Sequence, residues 1–222
     1  MTDPIREIIY VGDPMCSWCW GFSPALNGLA ERFGDRAPLR VVVGGLRPGT
    51  TEPMDEAQRD FIRGHWTHVV EASGQPFDFA ALDKRAEQGF VYDTEPAAKA
   101  VVVVRDLKPD ATLAYFDAVQ DAFYARGRDV TQVDELAQLA EPFDISDDEF
   151  KAAFESEDAH NATWGDFAFA RHLGANGFPT LLVRDDNQAA LVAAGHRDLD
   201  SLIGPIEHWL EHGLQDAEPQ PA

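Results

Sequence analysis

Apolar residues fall along this chain in two patterns: short unbroken runs near both ends, and helix-spaced stripes between them. Ile5 to Gly12 is one such run, rich in Ile, Tyr and Val and closed by Gly-Asp-Pro, and it predicts a buried strand followed by a turn. A helix is expected at or just after Cys16, because apolar positions continue through Phe22, Leu26, Leu29 and Phe33 and stop at Gly34-Asp35. Pro24 lies inside that stripe, where it removes one backbone hydrogen bond and kinks the helix. Leu39 to Val43 reads as a second strand ended by Gly44-Gly45, and the loop from Arg47 to Pro53 leaves the sheet.

From Met54 to about Ala159 the period is helical. Phe61, Ile62, Trp66, Val69 and Val70 mark one helix, and Ala97, Ala98, Val101, Val102 and Val104 another. Leu113, Phe116, Val119 and Phe123 form a third stripe, followed by Val133, Leu136 and Leu139, then Phe150 and Phe154. Thr131-x-x-Asp134 and Ser146-x-x-Glu149 supply capping-box starts for the last two. The run Val101 to Val104 also suits a strand, but Pro96 near a helix start and the length of the pattern favour helix. A helix from about Asn161 to Leu173 follows. Then come Asn176-Gly-Phe-Pro-Thr180 at a strand entrance, a hairpin turn at Asp185-Asp-Asn, a partner strand from Ala189 to Ala194, and a last helix with Leu199, Leu202, Ile203, Ile206, Trp209 and Leu210. Residues 215–222, with Pro219 and Pro221, read as a disordered tail.

Composition narrows the partners. The 222 residues carry 39 acidic against 18 basic side chains, a net charge of -21, so nucleic acid and anionic membranes are excluded as partners by repulsion. Such a charge fits a salt-rich cytoplasm and equally an ordinary acidic cytosolic protein. No apolar stretch approaches the roughly 20 residues of a membrane span, and no secretory signal precedes the first strand. The expectation is a soluble cytoplasmic protein, in which structural disulfides are rare.

That compartment gives weight to Cys16 and Cys19, the two cysteines of the chain. At spacing i, i+3 on a helix their Cβ atoms lie roughly 5–6 Å apart, close to what a disulfide spans. At a helix start, free backbone N–H groups and the helix dipole favour a thiolate on Cys16. The spacing alone also suits metal binding, which needs four ligands. His65-x-x-His68 is the histidine pair available to complete such a set, and His208 and His212 share a face of the last helix, but both read as solvated helix faces. No metal is therefore expected. Asp13 reads as turn chemistry rather than as a proton carrier, and Thr94 as a helix cap. Among Trp18, Trp20 and Phe22, Trp18 is the candidate for an apolar substrate rim.

Asp-Pro-Met-Cys-Ser-Trp-Cys-Trp-Gly-Phe22, with Gly44-Gly45, Asp93-Thr-Glu-Pro96 and Gly177-Phe-Pro-Thr180, resembles the DsbA-like thioredoxin family, particularly its FrnE-like branch. The resemblance implies an α/β thioredoxin fold from residues 1–52 and 160–214, interrupted by an all-helical insertion over 53–159. It implies that Cys16 is the nucleophile, Cys19 the resolving thiol, and Pro179 a cis proline facing them. Phe178, Pro179 and Trp18 would then contact substrate, with backbone pairing at Phe178, and Ser17, Pro14 and Thr180 would support the site. The expected activity is thiol-disulfide exchange on protein or small-molecule disulfides, with no resident cofactor and with glutathione as a reductant or co-substrate. Two alternatives stand beside it. One is a glutathione-dependent transferase or isomerase like the kappa-class transferases and hydroxychromene carboxylate isomerases, and the other is an adaptor that docks a partner without redox turnover.

Overall fold

A computed structural model describes residues 6–214 of the chain. Ile5, expected to open the first strand, and the expected tail at 215–222 lie outside those residues. Four strands form one sheet in the order β2-β1-β3-β4: β1 (Arg6–Gly12), β2 (Leu39–Val43), β3 (Thr180–Asp185) and β4 (Gln188–Ala194). β1 runs parallel to β2 and antiparallel to β3, in a register that places Tyr10 beside Val41 and Leu181. The connection from β1 to β2 is α1 (Ser17–Phe33), as a parallel crossover requires.

Strand alternation explains why β1 is apolar throughout. Ile8 and Tyr10 point into the main core with Phe22, Leu26 and Leu29 of α1, while Ile9 and Val11 point to the other face. That second face is covered by α8 (Glu157–His172), whose Ala170 packs with Val42 and Leu182. The last helix, α9 (Leu199–His212), adds Leu202, Ile206 and Trp209 to the main core.

Between β2 and α8 lies the helical insert: α2 (Glu56–Ser73), α3 (Phe79–Glu87), α4 (Glu95–Leu107), α5 (Thr112–Tyr124), α6 (Val133–Ala140) and α7 (Asp147–Phe154). The valines at 101–104 are helical. They are buried all round because α4 packs against α5, α7 and α8 as the insert's central helix. Arg105 of α4 ties the insert to the sheet: it donates to Asp166 of α8 at 2.6 Å and to the Val41 carbonyl at 3.0 Å, while Asp166 accepts from the Val43 amide at 3.0 Å. A second seam is aromatic. Trp20 stacks on Tyr124 and donates its indole N–H to the Pro76 carbonyl at 3.0 Å.

Helix α1 is continuous through Pro24. The carbonyl four residues earlier, on Trp20, loses its helical donor there, and it accepts instead from Ser23 Oγ at 2.9 Å and Gln75 Nε2 at 3.2 Å. Other local expectations need correction. Helix α3 is an additional element, and α8 begins at Glu157 rather than near Asn161, because Ser156 caps it through the Ala159 amide. Ser146 caps α7 as expected, but Thr131 does not cap α6. Its hydroxyl bonds Asp129 Oδ1 at 2.6 Å, and the N-cap position falls to Gln132 without a side-chain bond.

Candidate active site

The turn after β1 delivers both cysteines. The Cys16 amide donates to the Asp13 carbonyl at 3.0 Å, closing the turn, and the Cys16 carbonyl accepts from Cys19 and Trp20 at 3.0 and 3.1 Å, opening α1. Cys16 is therefore the N-cap of α1, and the first turn carries no acidic side chain, so the positive end of the helix dipole stands beside its sulfur. Cys19, one turn on, is fully buried. Both are free thiols.

Across from Cys16 the Phe178–Pro179 peptide is cis, and the Cys16 Sγ donates to the Phe178 carbonyl at 3.7 Å. Phe178 is half-buried, and its ring lies against Gly44. A Cβ on Gly44 would stand 2.0 Å from that ring, so the Gly44-Gly45 pair ending β2 makes room for it. Thr180 is buried and its hydroxyl donates to the Gly177 carbonyl at 2.7 Å, holding the turn before β3. Pro14 is buried in the first turn.

These segments enclose a cavity of about 210 Å3. Its walls are Met15, Cys16, Ser17 and Trp18 from the start of α1, Leu46 and Arg47 from the loop after β2, Phe178, and Phe61, Ile62, His65 and Trp66 from α2, with Tyr92 between. Cys16 is only 6% exposed, opening to the outside through this cavity. Trp18 also packs on His196 at 5.9 Å, whereas Trp20 and Phe22 belong to the core. Of the paired histidines, His65 lines the cavity and His68 faces out. His208 and His212 stack on each other at 4.3 Å on α9.

Several contacts at the site are not marked by any motif in the sequence. Asp13 is fully buried, and its two carboxylate oxygens accept from the Met15 amide at 2.8 Å and the Leu46 amide at 2.7 Å, tying the cysteine turn to the cavity loop. Burial pushes its carboxyl up to about 6 against the pull of those bonds. Thr94, expected to cap α4, makes no cap bond; its hydroxyl accepts from the Arg47 amide at 3.0 Å instead. Tyr92 donates its hydroxyl to the Met15 carbonyl at 2.8 Å, one residue before the nucleophile candidate. Arg47 lies over the Tyr92 ring at 5.5 Å and, among the described residues, forms no ion pair. A cation just after Gly44-Gly45, in a chain so poor in cations, was the available signal.

The two sulfurs have different surroundings. Burial pushes the Cys19 thiol well up, and the hydrogen bond and charge of Cys16 push it further. The Tyr10 hydroxyl and the Asp13 backbone oppose the shift. An exposed edge, a buried second sulfur, and an accepting carbonyl opposite make an arrangement able to exchange a disulfide that enters the cavity. Among the described residues, no group of three or more His, Cys, Asp or Glu side chains is placed to hold a metal ion.

Known proteins are similar to this chain over most of its length. A protein from Nitrosomonas europaea assigned as a protein disulfide isomerase is 34% identical, with 96% of this chain and 100% of that one covered at a TM-score of 0.85. The cytosolic disulfide reductase DsbM from Pseudomonas aeruginosa is 25% identical, with 92% and 98% covered at a TM-score of 0.77. The ClpXP adapter protein SpxH of Halalkalibacterium halodurans is 22% identical over 92% of this chain. The chain spans 67% of that relative's length and 57% of its Bacillus subtilis counterpart's. The model of the DSBA-like thioredoxin domain matches residues 7–206, taking in the sheet, both cysteines, the helical insert and the Phe178–Pro179 turn, and the chain belongs to that family.

Proposed function

We propose that the protein is a cytoplasmic thiol-disulfide oxidoreductase in which Cys16 attacks and Cys19 resolves. The observation that carries this reading is the pairing of a helix-capping Cys16, facing the Phe178 carbonyl at 3.7 Å over the cavity, with a wholly buried Cys19. In the first step the Cys16 thiolate bonds one sulfur of a substrate disulfide and the other sulfur leaves as a thiolate. In the second, Cys19 bonds Cys16 and expels the first sulfur. The substrate gains two electrons and the Cys16–Cys19 pair becomes a disulfide, which a thiol of the glutathione class reduces again.

We infer that the working direction is reductive, a reading supported by the name of the Pseudomonas relative, a cytosolic disulfide reductase. Phe178, Pro179 and Trp18 would hold the substrate, with Ser17, Pro14 and Thr180 supporting the turn on either side. Arg47 offers a cation, unpaired among the described residues, to the carboxylates of a small acidic disulfide, and the exposed side chains of Phe61 and Leu46 offer apolar contact to a protein segment. The Cys-Ser-Trp-Cys context supports placement in the FrnE-like branch, with the insert taken as residues 53–159 between the two parts of the thioredoxin-like domain. The test is disulfide reductase activity: Cys16→Ser should abolish it, and full activity in that variant would end the proposal.

The adapter relatives favour a second reading, in which the thioredoxin groove docks a partner protein without redox turnover. A partner held equally by the wild type and by the Cys16→Ser, Cys19→Ser double variant would support it.

A further inference from the structure

Tyr10 sits in the middle of β1, its ring between Phe22 of α1 and Phe116 of α5 at centroid distances of 6.1 and 5.7 Å. The residue is fully buried, and its hydroxyl has no hydrogen-bond partner of ordinary geometry among the described residues. That hydroxyl lies close to Gly12, where an added Cβ would stand 2.4 Å from its oxygen, and it neighbours Cys19, which is buried in the same cluster. Phenylalanine would fill the same ring space without an orphaned polar atom, so packing alone gives no reason for the hydroxyl.

We propose that the Tyr10 hydroxyl is a hydrogen-bond donor held ready for the Cys19 thiolate that forms when the mixed disulfide is resolved. This rests on the reading of Cys19 as the resolving thiol. A neutral thiol sulfur is a weak acceptor, which leaves the Tyr10 O–H unsatisfied in the dithiol state of the structure. An ionised sulfur is a strong acceptor, and bonds to charged groups are the stronger class. A donor buried beside the sulfur needs little reorganisation when the charge appears. Asp13 cannot do this work with its side chain, because both carboxylate oxygens are held by backbone amides. The titratable groups facing Tyr10 are Cys16 and Cys19 on α1 and Asp117 on α5, and all of them, with burial, oppose loss of its proton. Tyr10 therefore donates and does not act as a base. The Cys19 sulfur bonds Cys16, the Cys16–substrate S–S bond breaks, and the proton released by Cys19 ends on the departing substrate thiolate. The tyrosine keeps its own.

The test is the reaction of Tyr10→Phe with dithiobis(nitrobenzoate), followed by stopped flow. The first chromophore reports attack by Cys16 and should appear at the wild-type rate. The second reports attack by Cys19. Each tenfold loss of thiolate is offset about threefold by greater nucleophilicity, so the second phase should slow at least about threefold at neutral pH. Its pH midpoint should move upward. A fluorotyrosine at Tyr10, which keeps the ring and strengthens the donor, should move the midpoint the other way. A second phase unchanged in rate and midpoint in both variants overturns the proposal. A wild type that never releases the second chromophore overturns instead the reading of Cys19 as resolving thiol, and the role of Tyr10 with it.

Discussion

Replacing Asp13 by asparagine probes the electrostatics beneath the cysteine turn. Its carboxyl is fully buried, accepts amides from Met15 and Leu46, and still titrates at about 6 rather than 3.8, because burial outweighs the bonds. In the unfolded chain the ordinary value returns. Between those two values the folded chain holds a proton that the unfolded chain has lost. The stability this confers is complete below the ordinary carboxylate range and is lost as pH rises through about 6. A gap from 3.8 to about 6, at about 1.36 kcal/mol per pH unit, makes that loss ~3 kcal/mol. Asparagine is neutral throughout and close in shape to the protonated carboxyl. Wild type should therefore lose about 2.4 kcal/mol of that total relative to Asp13→Asn between about pH 4 and about pH 7, whatever the constant offset between them. Asp117, which burial also pushes up to about 6, is common to both chains and drops out of the difference. Urea denaturation across that range measures it, and a difference flat with pH would refute a buried carboxyl of raised pKa at Asp13.

Other perturbations follow from the same contacts. Gly44→Ala would drive its Cβ into the Phe178 ring, 2.0 Å away before relaxation; overpacking of this kind costs about 1–3 kcal/mol. Because the same residue presents its backbone carbonyl to Cys16, the disulfide exchange rate should fall about tenfold, and an unchanged rate would separate Phe178 from the chemistry. Arg47→Ala should raise KM for glutathione disulfide several-fold while leaving kcat within about twofold, the pattern of a lost binding contact. Asp166→Ala strands Arg105, only 22% exposed at its side chain, and should cost about 3–5 kcal/mol in urea unfolding; a loss under about 1 kcal/mol would mean solvent already reaches the pair.

How much of this was legible in the sequence depended on range. The apolar run of β1, the stop at Gly34, the helical Val101–Val104 stretch and the cysteine turn all rest on local pattern, and the structure follows it. Helix α3 escaped because its nine residues bury Leu82 and the polar Arg85, whose guanidinium donates to the Phe123 and Arg128 carbonyls, rather than an apolar stripe. Thr94 and Thr131 were misread for a common reason: a hydroxyl near a helix start has other acceptors and donors in reach, the distant Arg47 amide for Thr94 and Asp129, two residues back, for Thr131. The contacts that shape the site were out of reach of any periodicity. Tyr92 meets Met15 across 77 residues, and Arg105 meets Asp166 across 61. Tyr10 was visible only as a strand residue, because nothing in an unbroken apolar run marks a buried hydroxyl beside a cysteine.

Whether Cys16 and Cys19 form an exchange centre can be read from a single trapped species. A Cys19→Ala chain retains Cys16 as its sole thiol, so incubation with glutathione disulfide followed by intact-mass measurement reports directly on the first step. The expected result is one glutathione per chain that persists because nothing resolves it, and no adduct on wild type, which completes the cycle to the Cys16–Cys19 disulfide. A Cys19→Ala chain that stays unmodified while wild type does too would contradict the exchange centre.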